Sequence, residues 1–406
     1  MDFNPGHPAC LSARPVGCAV DIGTTSLAYY FIDLESGILL RTYSEANPQS
    51  VHGADVISRI NYCIENSGGE KKLQSLLMDS IDRNIKRFIS ETWYDGQDIT
   101  SITAVGNTTM LHLAAGADPR SIAFAPFNPV FTDHRVLTAD KMGLHINAEA
   151  SMHLLPSVSG YIGADIVAGI ASLDKSTGDL YLYVDIGTNG ELALVSGEKV
   201  WACATAAGPA FEGTNISCGS AAVEGAISSY INGEISTIAH QEPEGICGSG
   251  LIDITAYMLM KRLITSDGKI KQPYIVYGDD IKNIISINQK DIREIQLAKA
   301  AIAAGINIIL RRSGYNYSDV DKLVIAGGFG NYLDPANAVK IGLLPYQLEN
   351  KVLQVGNAAG TGAVLALKSQ EFIDRMKEIV SRTEYIELSA DNEFIDEYVK
   401  NMDFRN

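Results

Sequence analysis

Val20-Asp21-Ile22-Gly23-Thr24-Thr25 and Val184-Asp185-Ile186-Gly187-Thr188-Asn189 are two copies of one stretch. The residues beyond each copy are alike as well. The first runs into Leu27 to Ile32, a Glu35-Ser36-Gly37 turn and Ile38 to Leu40; the second runs into Glu191 to Val195, a Ser196-Gly197-Glu198 turn and Lys199 to Ala202. Each copy reads as strand, tight Gly turn, strand, Gly turn, strand. A single Asp-x-Gly-Thr turn is common in ordinary hairpins. Two copies in matching strand contexts point to a duplicated lobe and a shared chemistry.

That chemistry is set by the residue types. Asp21 and Asp185, each at the end of an apolar strand, offer carboxylates to a hydrated divalent cation. Gly23, Thr24 and Thr25, with Gly187, Thr188 and Asn189 in the second copy, offer N–H and side-chain donors to phosphate oxygens. Glycine is required because the backbone must bend sharply and approach a ligand with no Cβ in the way.

The 406 residues exceed what one hydrophobic core usually supports, so two lobes are expected. The expected division is a leader over 1–17, lobe I over 18–175, lobe II over 176–368 and a tail over 369–406 that packs on the lobes. With 46% hydrophobic and 20% charged residues the composition is that of an ordinary globular chain. No apolar run approaches a bilayer span and the start lacks a signal-peptide order, so no membrane role and a cytoplasmic location are expected. The 32 basic against 48 acidic residues, a formal net charge of −16, leave no basic footprint for nucleic acid. An anionic nucleotide bound by such a chain must be attracted locally, by N–H groups and a metal.

The six cysteines contain no C-x-x-C pair, and the seven histidines no H-x-x-x-H spacing. Reduced thiols suit this pattern better than a disulfide framework or a zinc site.

Further loops carry donors. Gly106-Asn107-Thr108-Thr109 opens a helix after the strand Ile102 to Val105, so Asn107 and Thr108 either cap that helix or meet an anion. Ala206 to Gly213, with Gly208, and Gly245 to Gly250, with Gly248 and Ser249, are flexible and donor-rich; either is a ligand loop or a plain turn. Lys322 to Gly330 reads as a buried strand ending in Gly327-Gly328-Phe329-Gly330, where a purine ring can lie against backbone without side chains. Two segments pair a Gly-rich turn with a small-residue helix: Leu154 to Leu173, and Leu353 to Leu367 with Asn357 in its turn. Small residues let such helices approach closely, as a hinge across a cleft requires.

In this order, the two Asp-Ile-Gly-Thr turns, the Ala326-Gly-Gly-Phe-Gly loop and the two linking helices resemble the actin, Hsp70 and sugar-kinase ATPase superfamily. The resemblance implies an α/β fold of two ribonuclease-H-like lobes, the actin-like ATPase fold, with ATP and Mg²⁺ in the cleft between them. Asp21 and Asp185 would hold Mg²⁺ through water, and a water near Asp21, Asp185 or Glu191 would serve as nucleophile. Asn47-Pro48-Gln49, Gly53 to Ile60, Gly106 to Met110, Ala207 to Gly213 and Ile246 to Gly250 are similar to the C-terminal ATPase domain of the reductive activators of corrinoid proteins.

This narrower resemblance implies a corrinoid protein as partner, restored from cob(II)amide to cob(I)amide by electron transfer coupled to slow ATP hydrolysis. It leaves room for a homodimer. Members of that family carry an N-terminal [2Fe–2S] ferredoxin domain, whose cysteine pattern is not found here; Cys10 and Cys18 do not substitute. The electrons are therefore expected from a missing ferredoxin-type domain or from another protein. Two rivals stand on the same fold: a sugar or carboxylate kinase, with Asp55, Asp165, Glu191 and Glu212 as candidate bases, and an actin-like assembly protein.

Overall fold

The computed structural model describes residues 14–174, 177–278, 284–328, 332–389 and 391–404. Most of the expected leader with Cys10, Lys175 and Ser176 at the expected boundary, and Phe329-Gly330 of the glycine loop lie outside the described residues. The chain forms two compact units, residues 1–172 with 359–380, and residues 173–358 with 381–406.

Unit 1 is built on six strands: β1 (Val16–Ile22), β2 (Ser26–Asp33), β3 (Leu39–Ala46), β4 (Ile99–Gly106), β5 (Arg135–Thr138) and β6 (Ser151–Leu154). Their order in the sheet is β3-β2-β1-β4-β6-β5. β1 runs antiparallel to β2 and parallel to β4, and is buried along almost its whole length. Its apolar Val16, Cys18, Ala19, Val20 and Ile22 explain why it is the central strand. It begins at Val16, paired with Asp33, so the leader ends earlier than the Gly17 expected from its prolines.

Among the described residues of this unit before residue 173 the α-helices are α1 (Val56–Glu65), α2 (Gly69–Glu91), α3 (Thr108–Ala115), α4 (Arg120–Ala123) and α5 (Ala164–Ser172). Leu73, Leu77, Ile81, Ile85 and Phe88 of α2 recur at helical spacing and are buried, while Leu76 and Ile89 of the same stripe are only half-buried.

Unit 2 repeats the plan. β7 (Tyr181–Ile186), β8 (Gly190–Val195) and β9 (Val200–Thr205) are followed by β10 (Ala226–Ile231), β11 (Glu234–Thr237), β12 (Gly245–Ile246), α6 (Gly248–Met260), β13 (Tyr274–Tyr277) and β14 (Ile285–Ile287). Then come α7 (Gln289–Ser313), β15 (Lys322–Ala326), α8 (Pro335–Lys340) and β16 (Val352–Gly356). The main sheet has the order β16-β15-β7-β8-β9-β17, in which β17 (Thr383–Tyr385) pairs with β9. β7 is antiparallel to β8 and parallel to β15, so it holds the place that β1 holds in unit 1. Ile295, Ala298, Ile302, Ile306 and Ile309 of α7 are fully buried in its core.

The late helices divide differently from the sequence expectation, in which lobe II runs to residue 368. Residues 359–380, most of α9 (Ala358–Lys368) and α10 (Gln370–Ser381), cluster with unit 1. The reason is glycine. A Cβ on Gly362 would stand 2.4 Å from the carbonyl oxygen of Ala168 in α5, and one on Gly360 2.7 Å from the Tyr30 hydroxyl, so α9 packs where no larger residue fits. Thr103 of β4 also donates to Ala363 O at 2.7 Å. The remaining tail, β17 and α11 (Asn392–Lys400), joins unit 2, where α11 lies on α7. Arg311 bonds the largely buried Glu397 at 2.9 Å, and Gln296 donates to Met402 O at 3.0 Å. Among the described residues no helix is long and apolar enough to cross a membrane.

Candidate functional site

Each Asp-Ile-Gly-Thr stretch is the exit of a central strand. In unit 1 Asp21 is paired with Ala28 of β2 and Val105 of β4, and the turn between the last pair, Ile22 and Leu27, holds residues 23–26. In unit 2 Asp185 is paired with Glu191 of β8 and Ala326 of β15, and the turn between Ile186 and Gly190 holds residues 187–189. The second turn is one residue shorter. Residues directly opposite on antiparallel strands share a face, so Glu191 stands beside Asp185, whereas the residue opposite Asp21 is Ala28.

The unit 1 turn is braced from below. Asn47, wholly buried, donates through Nδ2 to Gly23 O at 2.8 Å, while its N–H bonds Thr25 O at 2.9 Å. Arg59 is wholly buried as well. Its Nη2 donates to Thr24 O at 2.5 Å, its Nε to Gly53 O at 3.0 Å and its Nη1 to Gln49 Oε1 at 3.3 Å. Burial lowers this guanidinium to about 10, which leaves it charged at neutral pH and aimed at the loop backbone. Asn47, Gln49 and Arg59 were legible only as part of a family resemblance; their bracing role depends on contacts 24 to 35 residues apart in sequence.

Asn107 caps α3, its side chain accepting from Met110 N at 3.0 Å. That fixes its amide, so Nδ2 faces Thr24 and donates to Oγ1 at 3.0 Å. The cap and the turn are therefore one assembly. Gly163 seals it, since a Cβ there would stand 2.4 Å from Asn107 Cα and 2.7 Å from Asp165 Oδ1. The Thr108 hydroxyl, by contrast, is buried and donates to Ser159 O at 2.5 Å, which is a structural bond.

In unit 2 the glycine loop meets the aspartate directly. Gly327 has φ +85°, and a Cβ on it would lie 2.6 Å from Asp185 Oδ1, so both the conformation and the space demand glycine. Its N–H donates to Gly356 O at 2.9 Å, which brings Asn357 to the same end of the sheet. Cβ atoms on Gly208 or Gly328 would meet nothing within 4 Å, so these two loops border open space. Thr188 Oγ1 donates to Glu212 Oε2 at 2.7 Å, and Gly187 N bonds Asn189 O at 3.0 Å to close the turn. Gly248 and Ser249 start α6 inside the core, and the Ser249 hydroxyl donates to Ser228 O at 2.7 Å.

The donor sets fit the expected ligands. Asp21 in one unit, and Asp185 with Glu191 in the other, are hard oxygen donors of the kind Mg²⁺ prefers, and the Gly turns leave backbone N–H groups for phosphate. An acidic residue beside a Gly turn at the end of a central strand, once in each of two sheets that share a five-strand order and differ in the edge that carries the sixth strand, fits the ASKHA class of folds.

Comparison with known proteins narrows the class. The RACo middle region matches residues 16–176, and the C-terminal domain of RACo, the ASKHA domain, matches residues 179–406. The chain belongs to the RACo family. Over its whole length it is 35% identical to the corrinoid activation enzyme RamQ of Eubacterium limosum, covering 72% of that protein. Over 84% of its length it is 27% identical to the [Co(II) methylated amine-specific corrinoid protein] reductase of Methanosarcina barkeri, covering 68% of it. The solved structure of a reductive activator for corrinoid,iron-sulfur protein is similar with a TM-score of 0.88 and 35% identity, over 97% of this chain and 67% of that one.

Proposed function

We propose that this chain is the ATP-binding and slowly ATP-hydrolysing part of a reductive activator that returns cob(II)amide to cob(I)amide in a corrinoid protein. The observation that carries the reading is that the RACo family match extends over both units, each of which ends its central strand in the same Asp-Ile-Gly-Thr turn. Relatives named for corrinoid activation and corrinoid-protein reduction support the same substrate.

Asp21 in unit 1 and Asp185 in unit 2 would each offer a carboxylate to hydrated Mg²⁺, and the N–H groups of residues 23–25, Thr188 and Asn189 would meet phosphate oxygens, that of Gly187 being given to Asn189 O. Gly327, Gly328 and Asn357 support the adenosine side. Mg²⁺ supplies neutralisation of phosphate charge when bound; the chain's contribution is positioning. Nucleotide-dependent binding that favours the reduced cobalt state raises its effective potential, about 59 mV for each 1.4 kcal/mol of differential binding in a one-electron couple. The electrons come from a ferredoxin-type [2Fe–2S] domain or protein.

The expected result is ATP-dependent appearance of the cob(I)amide absorption when chain, corrinoid protein and a low-potential reductant are mixed. Equal rates and equal partner affinity with and without Mg-ATP would sink the proposal.

A further inference from the structure

The threonines that follow the glycine in each turn, Thr24 and Thr188, are wired in opposite senses. Thr24 Oγ1 receives a hydrogen bond from Asn107 Nδ2 at 3.0 Å, which leaves its own proton available to a phosphate oxygen. Thr188 Oγ1 gives its proton to Glu212 Oε2 at 2.7 Å. A hydroxyl has one proton and two lone pairs, so Thr188 presents only lone pairs beyond the turn. It is an acceptor there, and suits a water molecule better than an anion.

Glu212 is delivered to that hydroxyl by a packed loop. It ends the short 3₁₀ helix Pro209–Glu212, whose Ala210 and Phe211 are buried, and Gly213 closes the helix at φ +82°. A Cβ on Gly213 would stand 2.2 Å from Ser220 O, so the loop is clamped at the residue next to the carboxylate. The other Glu212 oxygen lies 3.4 Å from where a Cβ on Gly187 would be, which holds the carboxylate along the turn. Two other carboxylates considered as bases make local bonds: Asp55 caps α1 through Ser58 N at 2.8 Å, and Asp165 lies 2.8 Å from Ile166 N.

Resting on the nucleotide reading above, we infer that Thr188 and Glu212 form a proton relay that positions the water attacking the γ-phosphate. Thr188 Oγ1 accepts a proton from the water as its own proton passes to Glu212. The water oxygen bonds to phosphorus, the bond from phosphorus to the bridging oxygen of ADP breaks, and Glu212 returns the proton to solvent. Thr188 touches the water; Glu212 acts through it and is a positioning residue.

The test separates turnover from binding. Single-turnover hydrolysis of γ-labelled ATP, and titrations with Mg-ATP and Mg-ADP, are measured for wild type, E212Q, T188V and T188S. General base assistance is worth roughly 10² or more, so E212Q and T188V are expected to lose about 100-fold in the hydrolysis rate. Their nucleotide dissociation constants stay within about threefold of wild type, the signature of an interaction made only in the transition state. T188S, which keeps the hydroxyl, recovers most of what T188V loses. Hydrolysis by E212Q at the wild-type rate overturns the relay, and tighter nucleotide binding at an unchanged rate makes Glu212 a mere competitor for the phosphate. A parallel fall of binding and turnover makes the pair structural and overturns it too. A wild type that binds nucleotide without hydrolysing it removes the relay alone; one that binds none removes the nucleotide reading with it.

Discussion

Asp185→Ala and Asp21→Ala are each expected to weaken Mg-ATP binding by about 100-fold, the scale on which groups holding a metal through its waters act. Both carboxylates are partly exposed and sit one residue before the turnward end of a strand that is otherwise buried. Their removal opens no apolar cavity, so both units stay folded. In the wild type, saturating Mg-ATP is expected to raise the melting temperature by linkage, and in the variants that rise is expected to be lost at the same nucleotide concentration. Asp185→Ala has a second consequence. Its Oδ1 lies against the Gly327 backbone, so its loss also loosens the contact between the turn and the glycine loop. Calorimetric titration with Mg-ATP checks both variants; affinity retained in either one contradicts the assignment of its carboxylate.

Acidification is expected to remove roughly 2 kcal/mol of folding stability by pH 5 and about 3 kcal/mol by pH 4 through His112 alone. This side chain is fully buried in α3, stacked on Phe131 with ring centroids 4.3 Å apart. Its Nδ1 lies 2.7 Å from Thr108 O, so that nitrogen donates. Nε2 accepts from Val130 N at 3.0 Å and also faces Phe131 N. A second proton on Nε2 would meet N–H groups with no acceptor. Burial therefore pushes the imidazole down to about 4 from its usual 6.5.

The direction of the effect is set by which state binds the proton first. The unfolded chain takes one up near pH 6.5 that the folded chain refuses until about pH 4, so the contribution is complete above 6.5 and lost as pH falls through that window. His134 and His153, also lowered by burial, add to the acid sensitivity of the same unit. Urea unfolding of wild type and His112→Gln at pH 7, 5 and 4 isolates the His112 share as the difference in slope; equal slopes would refute it.

Much of the fold is legible in the chain itself. The strand-turn-strand repeat is local, and its periodicity and glycines specify it from contiguous residues, so β1-β2 and β7-β8-β9 lie close to where the pattern puts them, while β3 starts at Leu39 and runs on to Ala46, past the expected Ile38 to Leu40. The buried apolar residues of α2 and the inward isoleucines of α7 recur at helical spacing, which is a local pattern as well. Donor-rich loops are harder to divide. Thr108 and Ser249 carry the same hydroxyls as Thr24 and Thr188, yet their protons go to the buried carbonyls of Ser159 and Ser228. Residue type cannot distinguish a hydroxyl that faces a ligand from one that satisfies a backbone group, because both uses require the same donor.

The sequence alone determined that the protein is a duplicated α/β chain with two acidic Gly turns, because each turn is encoded within a few consecutive residues. Only the tertiary structure decided that residues 359–380 cluster with the first unit, and that Arg59 and Asn47 brace one turn while Glu212 holds the hydroxyl of the other. Those choices depend on side chains distant in sequence meeting at the ends of strands, where packing sets which proton faces which lone pair.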